Sequence, residues 1–156
     1  MQYTLLDLLQ AENILLYPDV TDTVGVVEVL TEALEATGYV ERKYAQDVLE
    51  REKVFPTGLP TEPIPVAIPH ADPDHIQRSA VGIALLAEPV EFGLMGTDGS
   101  DKVAAQVVFL LAIKEREKQV EMLQQLIQLI QSGDVLQEMM KARTSQAVFA
   151  LIKANS

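Results

Sequence analysis

No cysteine occurs among the 156 residues, which removes disulfide bridges, a thiol nucleophile and thiolate zinc ligands together. Covalent chemistry in this chain therefore needs another nucleophile. Basic residues are also scarce. Twelve Lys and Arg against 23 Asp and Glu give a formal charge of -11, the wrong sign for holding a phosphate backbone. That balance disfavours nucleic acid and suits either simple solubility or steering toward a basic protein surface. Long apolar runs are missing too: hydrophobic stretches stay under ten residues, against the roughly 20 that cross a bilayer. The N-terminus lacks a basic segment followed by an apolar one, so the expectation is a soluble, cytoplasmic chain. Finally, no Gly-x-Gly-x-x-Gly turn follows a strand-like run and there is no Gly-Lys-Ser/Thr loop, which leaves nucleotide binding without its usual support.

What is present is enough apolar material for one core, 48% of residues, with no internal repeat, low-complexity tract or flexible linker to divide residues 1–156. Residues 1–20 read as a lead-in whose run Ile14-Leu15-Leu16-Tyr17 is an edge strand ended by Pro18. Asp22 caps a helix in which Val24, Val27, Leu30 and Leu34 recur at helical spacing before Gly38. A second helix is predicted over 41–53, with Tyr44, Val48 and Leu49 on its apolar side and Glu41, Lys43, Glu50 and Glu52 on the other. Strands are predicted over 66–68 and 79–86, with a short extension or edge at 89–92 and a Gly-rich loop through Ser100. The run 103–113, interrupted only by Gln106, reads as a central strand buried on both faces. A long helix follows over 117–132, its stripe formed by Val120, Leu123, Ile127 and Ile130 and widened by Met122, Leu126 and Leu129; Asp134 and Ser145 then cap two short helices. Helices on either side of a compact block of strands predict a layered α/β or α+β sandwich with a mixed sheet.

Chemistry concentrates in Pro65-Val66-Ala67-Ile68-Pro69-His70-Ala71-Asp72-Pro73-Asp74-His75, which holds both histidines of the chain. Pro69 cannot extend a sheet ladder, so His70 falls at a strand end and is expected on a rim loop open to water and partners. From the residues alone, His70 is a surface histidine, a metal ligand together with Asp72, Asp74 and His75, or a nucleophile whose neutral ring attacks near pH 7. No His-Glu-x-x-His helix supports the metal reading. Arg51 ends the second helix and is either solvated or aimed at a dianion through its planar fork of donors. Thr57 and Gly58 form either a plain turn or part of an oxyanion pocket.

In order along the chain stand Arg51-Glu52, Thr57-Gly58 and Val66-Ala67-Ile68-Pro69-His70, followed by strands and a long helix. Over about residues 4–153 this combination closely resembles the phosphotransferase-system enzyme IIA domain of the fructose and mannitol superfamily. The resemblance implies a mixed β-sheet sandwiched between helices and a phosphohistidine at His70, without a cofactor or metal. It also implies that the carrier protein HPr donates the phosphoryl group and the cysteine of a cognate enzyme IIB receives it. Arg51 would stabilise the phosphoryl oxygens, Thr57 would add a donor, and an apolar rim near Ile64 and Ile68 would dock the partners. The continuation through Asp72, Asp74 and His75 is most similar to the galactitol-type branch. One position departs from the pattern. Many family members carry a second histidine at the start of the long helix, where this chain has Gln119, which can hydrogen-bond but cannot become positively charged. A regulatory module of the same fold and a metal-dependent hydrolase using His70 and His75 are the alternatives.

Overall fold

The strongest strand-forming run, β5 (Lys102–Ala112), sits in the middle of a five-stranded mixed sheet of order β1-β4-β5-β3-β2. The computed structural model describes residues 4–156, so the first three residues of the expected lead-in lie outside it. β4 (Ala80–Gly93) pairs antiparallel with β5 from Ala80 opposite Ala112 to Gly93 opposite Lys102, the register shifting between Leu85 and Val90. That shift explains why residues 79–86 and 89–92 look like two segments in sequence: they are one strand interrupted by an irregularity around Pro89. β1 (Leu9–Leu16) is the edge strand expected at Ile14, begins further upstream, and runs parallel to β4. β3 (Val66–Ala67) pairs parallel with β5, and β2 (Gly58–Leu59), starting at a glycine expected in a plain turn or an oxyanion pocket, pairs antiparallel with β3.

Side chains alternate across the sheet and fill two cores. Val107, Phe109 and Leu111 of β5 face a cluster with α3 (Arg116–Gln131), α4 (Gly133–Lys141) and α5 (Ser145–Ala154). Val108, Leu110 and Ala112 face the other way, toward α1 (Thr23–Ala36) and α2 (Tyr44–Val54). A strand buried on both faces has no polar alternation, which is why this one reads as a nearly continuous apolar run. The result is a three-layer α/β sandwich, as expected from the sequence.

Several helical stripes are rotated from their sequence-based assignment. In α1 the buried apolar residues are Val26, Val27, Leu30 and Leu34, and Val24 is exposed; Asp22 caps the helix by accepting from Gly25 N–H at 2.8 Å. In α3 the row Met122, Leu126, Leu129 and Ile130 is buried, and Val120 is 64% exposed. α5 is capped by Thr144, whose hydroxyl accepts from Ala147 N–H; Ser145 instead donates to the Ile14 carbonyl and covers the edge of β1. Backbone also approaches backbone beneath the site: a Cβ added to Gly58 would lie 2.6 Å from the Gly93 carbonyl oxygen, so β2 needs glycine there.

Candidate functional site

The parallel pairing of β3 with β5 carries the chain up to His70. After Ala67 opposite Val108, the ladder continues through the Pro69 carbonyl, which accepts from Leu111 N–H at 3.1 Å. Proline then has no donor to return, and the chain leaves the sheet. His70 makes a single bridge to Leu111 and is 9% exposed, so it lies far deeper than a loop at the sheet rim implies. Its Nδ1 is 2.8 Å from the Ile68 carbonyl. A carbonyl only accepts, so Nδ1 carries the hydrogen and the lone pair is left on Nε2. Burial holds the imidazole below its usual range and the Arg51 charge adds to that, while the Ile68 hydrogen bond and Asp72 oppose it. The ring is therefore neutral near pH 7.

Arg51 stands in the last turn of α2, with its guanidinium carbon 5.0 Å from the ring centroid of Phe55. Among the described residues, only two buried side-chain polar atoms lack a hydrogen-bond partner, and Arg51 Nε is one of them. A buried donor without an acceptor costs about 1 to 3 kcal/mol, a debt that an anion would cancel. Together with Asp47, Val54, Phe55, Ala71 and Asp72, Arg51 lines an open cleft of about 340 Å3.

Thr57 is placed one layer behind. Its hydroxyl donates to Glu52 Oε1 at 2.9 Å and accepts from Ile68 N–H at 3.2 Å, and the residue is buried. The hydroxyl hydrogen is thus committed to a carboxylate, and Thr57 braces the strand that leads to His70. Gln119, in the first turn of α3, donates its amide to the Ala71 carbonyl at 3.3 Å. It meets the residue after His70 instead of the imidazole itself.

Two residues that hold this loop have no role there legible in the sequence: Tyr44 has no motif to announce it, and Glu52 stands in the Arg51-Glu52 pair only as the neighbour of Arg51. Tyr44 reads as an apolar position on α2, yet its hydroxyl accepts from Ala71 N–H at 3.1 Å and donates to the Leu111 carbonyl at 2.8 Å, tying helix, loop and central strand together. Burial raises its phenol well above the ordinary value, which keeps the hydroxyl protonated as a donor. Glu52, assigned by periodicity to the polar side of α2, points inward and is buried. In a helix so short, a polar residue in the last turn gives no clue to its direction.

The second histidine has a different employment. His75 ends a one-turn 3-10 helix (Pro73–His75), and its Nδ1 pairs with Asp47 of α2, which raises the ring's proton affinity. Arg116 of α3 reaches Asp72 at 3.4 Å and Asp74 at 3.9 Å from the other side. Among the described residues no group of three or more His, Asp or Glu is placed to share a metal ion, so the ligand set needed for a hydrolase at His70 and His75 is not assembled. Ile68 is fully buried and cannot belong to a docking rim; the exposed apolar side chains on the cleft are Val54 and Phe55, and Val120 is exposed on α3 next to Gln119.

The sequence and the three-layer α/β scaffold that carries this histidine have parallels among known proteins. A family model described as "Phosphoenolpyruvate-dependent sugar phosphotransferase system, EIIA 2" matches residues 7–155. The chain belongs to that family. It is 29% identical over 111 residues to the galactitol-specific EIIA component of Escherichia coli (strain K12), covering 71% of this chain and 73% of that one. It is also 38% identical over 93 residues to the transcriptional regulator ManR of Bacillus subtilis, which covers 60% of this chain but only 13% of the regulator. Among solved structures, the mannitol IIA of Escherichia coli superposes with a TM-score of 0.76 at 25% identity, covering 92% of this chain and 97% of that one. A IIA from the same organism, in complex with phosphorylated enzyme IIB of the mannitol system, gives 0.77 at 25% identity, covering 94% and 99%. No helix among the described residues is long and apolar enough to cross a membrane.

Proposed function

We propose that His70 accepts a phosphoryl group on Nε2 from the phosphohistidine of the carrier protein HPr and passes it to the cysteine of a cognate enzyme IIB, for uptake of a galactitol-like polyol or sugar. The observation that carries this reading is the Ile68 carbonyl on Nδ1, which leaves Nε2 as the lone pair of a neutral ring. In the first transfer the donor's N–P bond breaks as the Nε2–P bond forms; the bonding pair returns to the donor ring, which is protonated on its other nitrogen and so leaves as a neutral imidazole. The positive charge developing on His70 is shared through Nδ1–H with the Ile68 carbonyl. In the second transfer the IIB thiolate attacks phosphorus and His70 leaves neutral. Such in-line exchange needs positioning and charge stabilisation more than bond chemistry from the protein.

Arg51, with its unpartnered Nε, supplies the cation for the phosphoryl oxygens. Thr57 and Gln119 act behind the phosphoryl group, the first by bracing Ile68 and the second by holding Ala71. Val54, Phe55 and Val120, 64%, 59% and 64% exposed, form the apolar part of the docking surface. Asp47, Glu50, Asp72 and Asp74 around the cleft steer a basic partner toward it.

Incubation with phosphoenolpyruvate, enzyme I and HPr tests the reading. Wild type and His75→Ala take up label that is lost in acid and kept in base, and His70→Ala takes up none; full labelling of His70→Ala, or acid-stable label, refutes it. A regulatory role is the second reading, favoured by the similarity to ManR. Transfer from the labelled protein to a purified enzyme IIB distinguishes the two: passage of label favours the relay, and its failure favours regulation.

A further inference from the structure

Glu52 is a buried acid that phosphoryl transfer at His70 leaves without a task. It follows Arg51 in the last turn of α2, and both of its carboxylate oxygens are used: Oε2 accepts from Thr57 N–H and Oε1 from the Thr57 hydroxyl, each at 2.9 Å. That hydroxyl has one hydrogen, and once it is donated to Glu52 the oxygen's lone pairs are turned to Ile68 N–H, 3.2 Å away. The Thr57 carbonyl shares the same N–H at 3.3 Å. The carbonyl of Ile68 then holds His70 Nδ1–H at 2.8 Å. An unbroken run of hydrogen bonds thus joins the carboxylate to the imidazole through Thr57 and Ile68.

We propose that Glu52 is a positioning residue for phosphoryl acceptance: its carboxylate fixes the rotamer of the Thr57 hydroxyl, and through it the Ile68 carbonyl that sets the tautomer and aim of His70. The inference rests on His70 being the acceptor. Only an ionised carboxylate offers a full acceptor to both Thr57 donors; a carboxylic acid carries a proton on one oxygen and loosens that grip. Burial pushes the Glu52 carboxyl up to about 7, against the two Thr57 hydrogen bonds that favour its charge. The charged groups facing it nearly balance: Lys53 of α2, Glu91 of β4, Asp98 of the following turn and Lys102 of β5 line, with Glu52, a cleft of about 430 Å3. The grip on Thr57 therefore weakens as pH falls through neutrality.

Two measurements on the full chain test this. Nitrogen-15 spectra of the imidazole, recorded without any phosphoryl donor from about pH 5.5 to 8.5, should show the His70 signals shifting with the same midpoint as the Glu52 carboxyl carbon. Glu52→Gln should erase that step and slow acceptance about two- to tenfold, the worth of one neutral hydrogen bond. Thr57→Val should do the same, and the double variant should be no slower than the slower single, because both act through one path. Unchanged spectra and rates in Glu52→Gln, or losses that multiply in the double variant, overturn the proposal. Should Glu52→Gln not fold, the wild-type spectra decide alone: a Glu52 titration with no matching change at His70 also overturns it. Since the spectra need no transfer, their outcome is separate from whether His70→Ala still takes up label.

Discussion

Removing one oxygen atom from Tyr44 should loosen the loop that holds His70 without opening a cavity beside it. Tyr44→Phe keeps the ring, which is fully buried, and deletes the hydroxyl that joins Ala71 N–H to the Leu111 carbonyl. The Ala71 N–H is then left in the interior without that acceptor, and the Leu111 carbonyl without that donor. An orphaned buried donor costs about 1 to 3 kcal/mol, and a loss near 2 kcal/mol lowers the midpoint of thermal unfolding by about 4 to 8 °C in a chain of this size. Ala71 adjoins His70, so part of this loss should reach the chemistry; misplacement costing about 1 kcal/mol slows acceptance roughly fivefold. Calorimetry or thermal unfolding reads the first effect and labelling from phospho-HPr the second. A Phe variant with a wild-type midpoint and a wild-type rate would refute the idea that this hydroxyl holds the loop. A lower midpoint with full transfer would restrict it to a structural part.

Arg51→Lys keeps a positive charge but loses the planar fork, so transfer should slow about tenfold, or 1.4 kcal/mol, with the unfolding midpoint retained; an unchanged rate removes Arg51 from the site. Gln119→Ala deletes the amide on the Ala71 carbonyl and should slow transfer about two- to tenfold, while equal rates from about pH 6 to 8 in wild type, Gln119→Ala and Gln119→His would place this position outside the site. Asp47→Asn removes the partner that raises the proton affinity of His75. A raised histidine stabilises the fold below its unfolded value of about 6.5 and loses that contribution as pH rises through the folded one. The stability gap between wild type and variant should therefore be widest on the acid side and shrink toward alkaline pH, and nuclear magnetic resonance should show His75 titrating lower in Asp47→Asn.

The sandwich, the central strand and the position of His70 at a strand end were legible because each depends on local pattern: an apolar run, a proline, a cap. Asp22 and Gly38 marked the ends of α1, with Gly38 adopting the positive φ of 86° that its place demands. What remained hidden depends on direction. Periodicity alone could not settle which way Val120 of α3 or Glu52 of α2 would face: the apolar residues of α3 spread over a stripe wide enough to admit two rotations, Glu52 lies in the last turn of its helix, and tertiary packing fixes both. Tyr44 was legible as buried, but its hydroxyl finds partners at positions 71 and 111, and no spacing rule connects those. Thr57 was singled out for its hydroxyl, whose partner is Glu52 in the tertiary structure. The burial of His70 follows from the bridge to Leu111, a contact that exists only once the sheet has formed.

That bridge gives the site a birth order during synthesis. β3 has its parallel partner in β5, so Val66, Ala67 and the Pro69 carbonyl wait for Val107, Val108 and Leu111 to leave the ribosome. Parallel pairing across an intervening strand closes late, because the loop entropy is lost before the contacts are gained. A nascent chain that stops at Gly93 has α1, α2 and the sequence of β4, but neither the carbonyl acceptor for Tyr44 nor the strand against which His70 is seated. His70 takes its seat only when the hairpin of β4 and β5 has docked, so on the proposed function an incomplete chain has no assembled site to offer a phosphoryl donor.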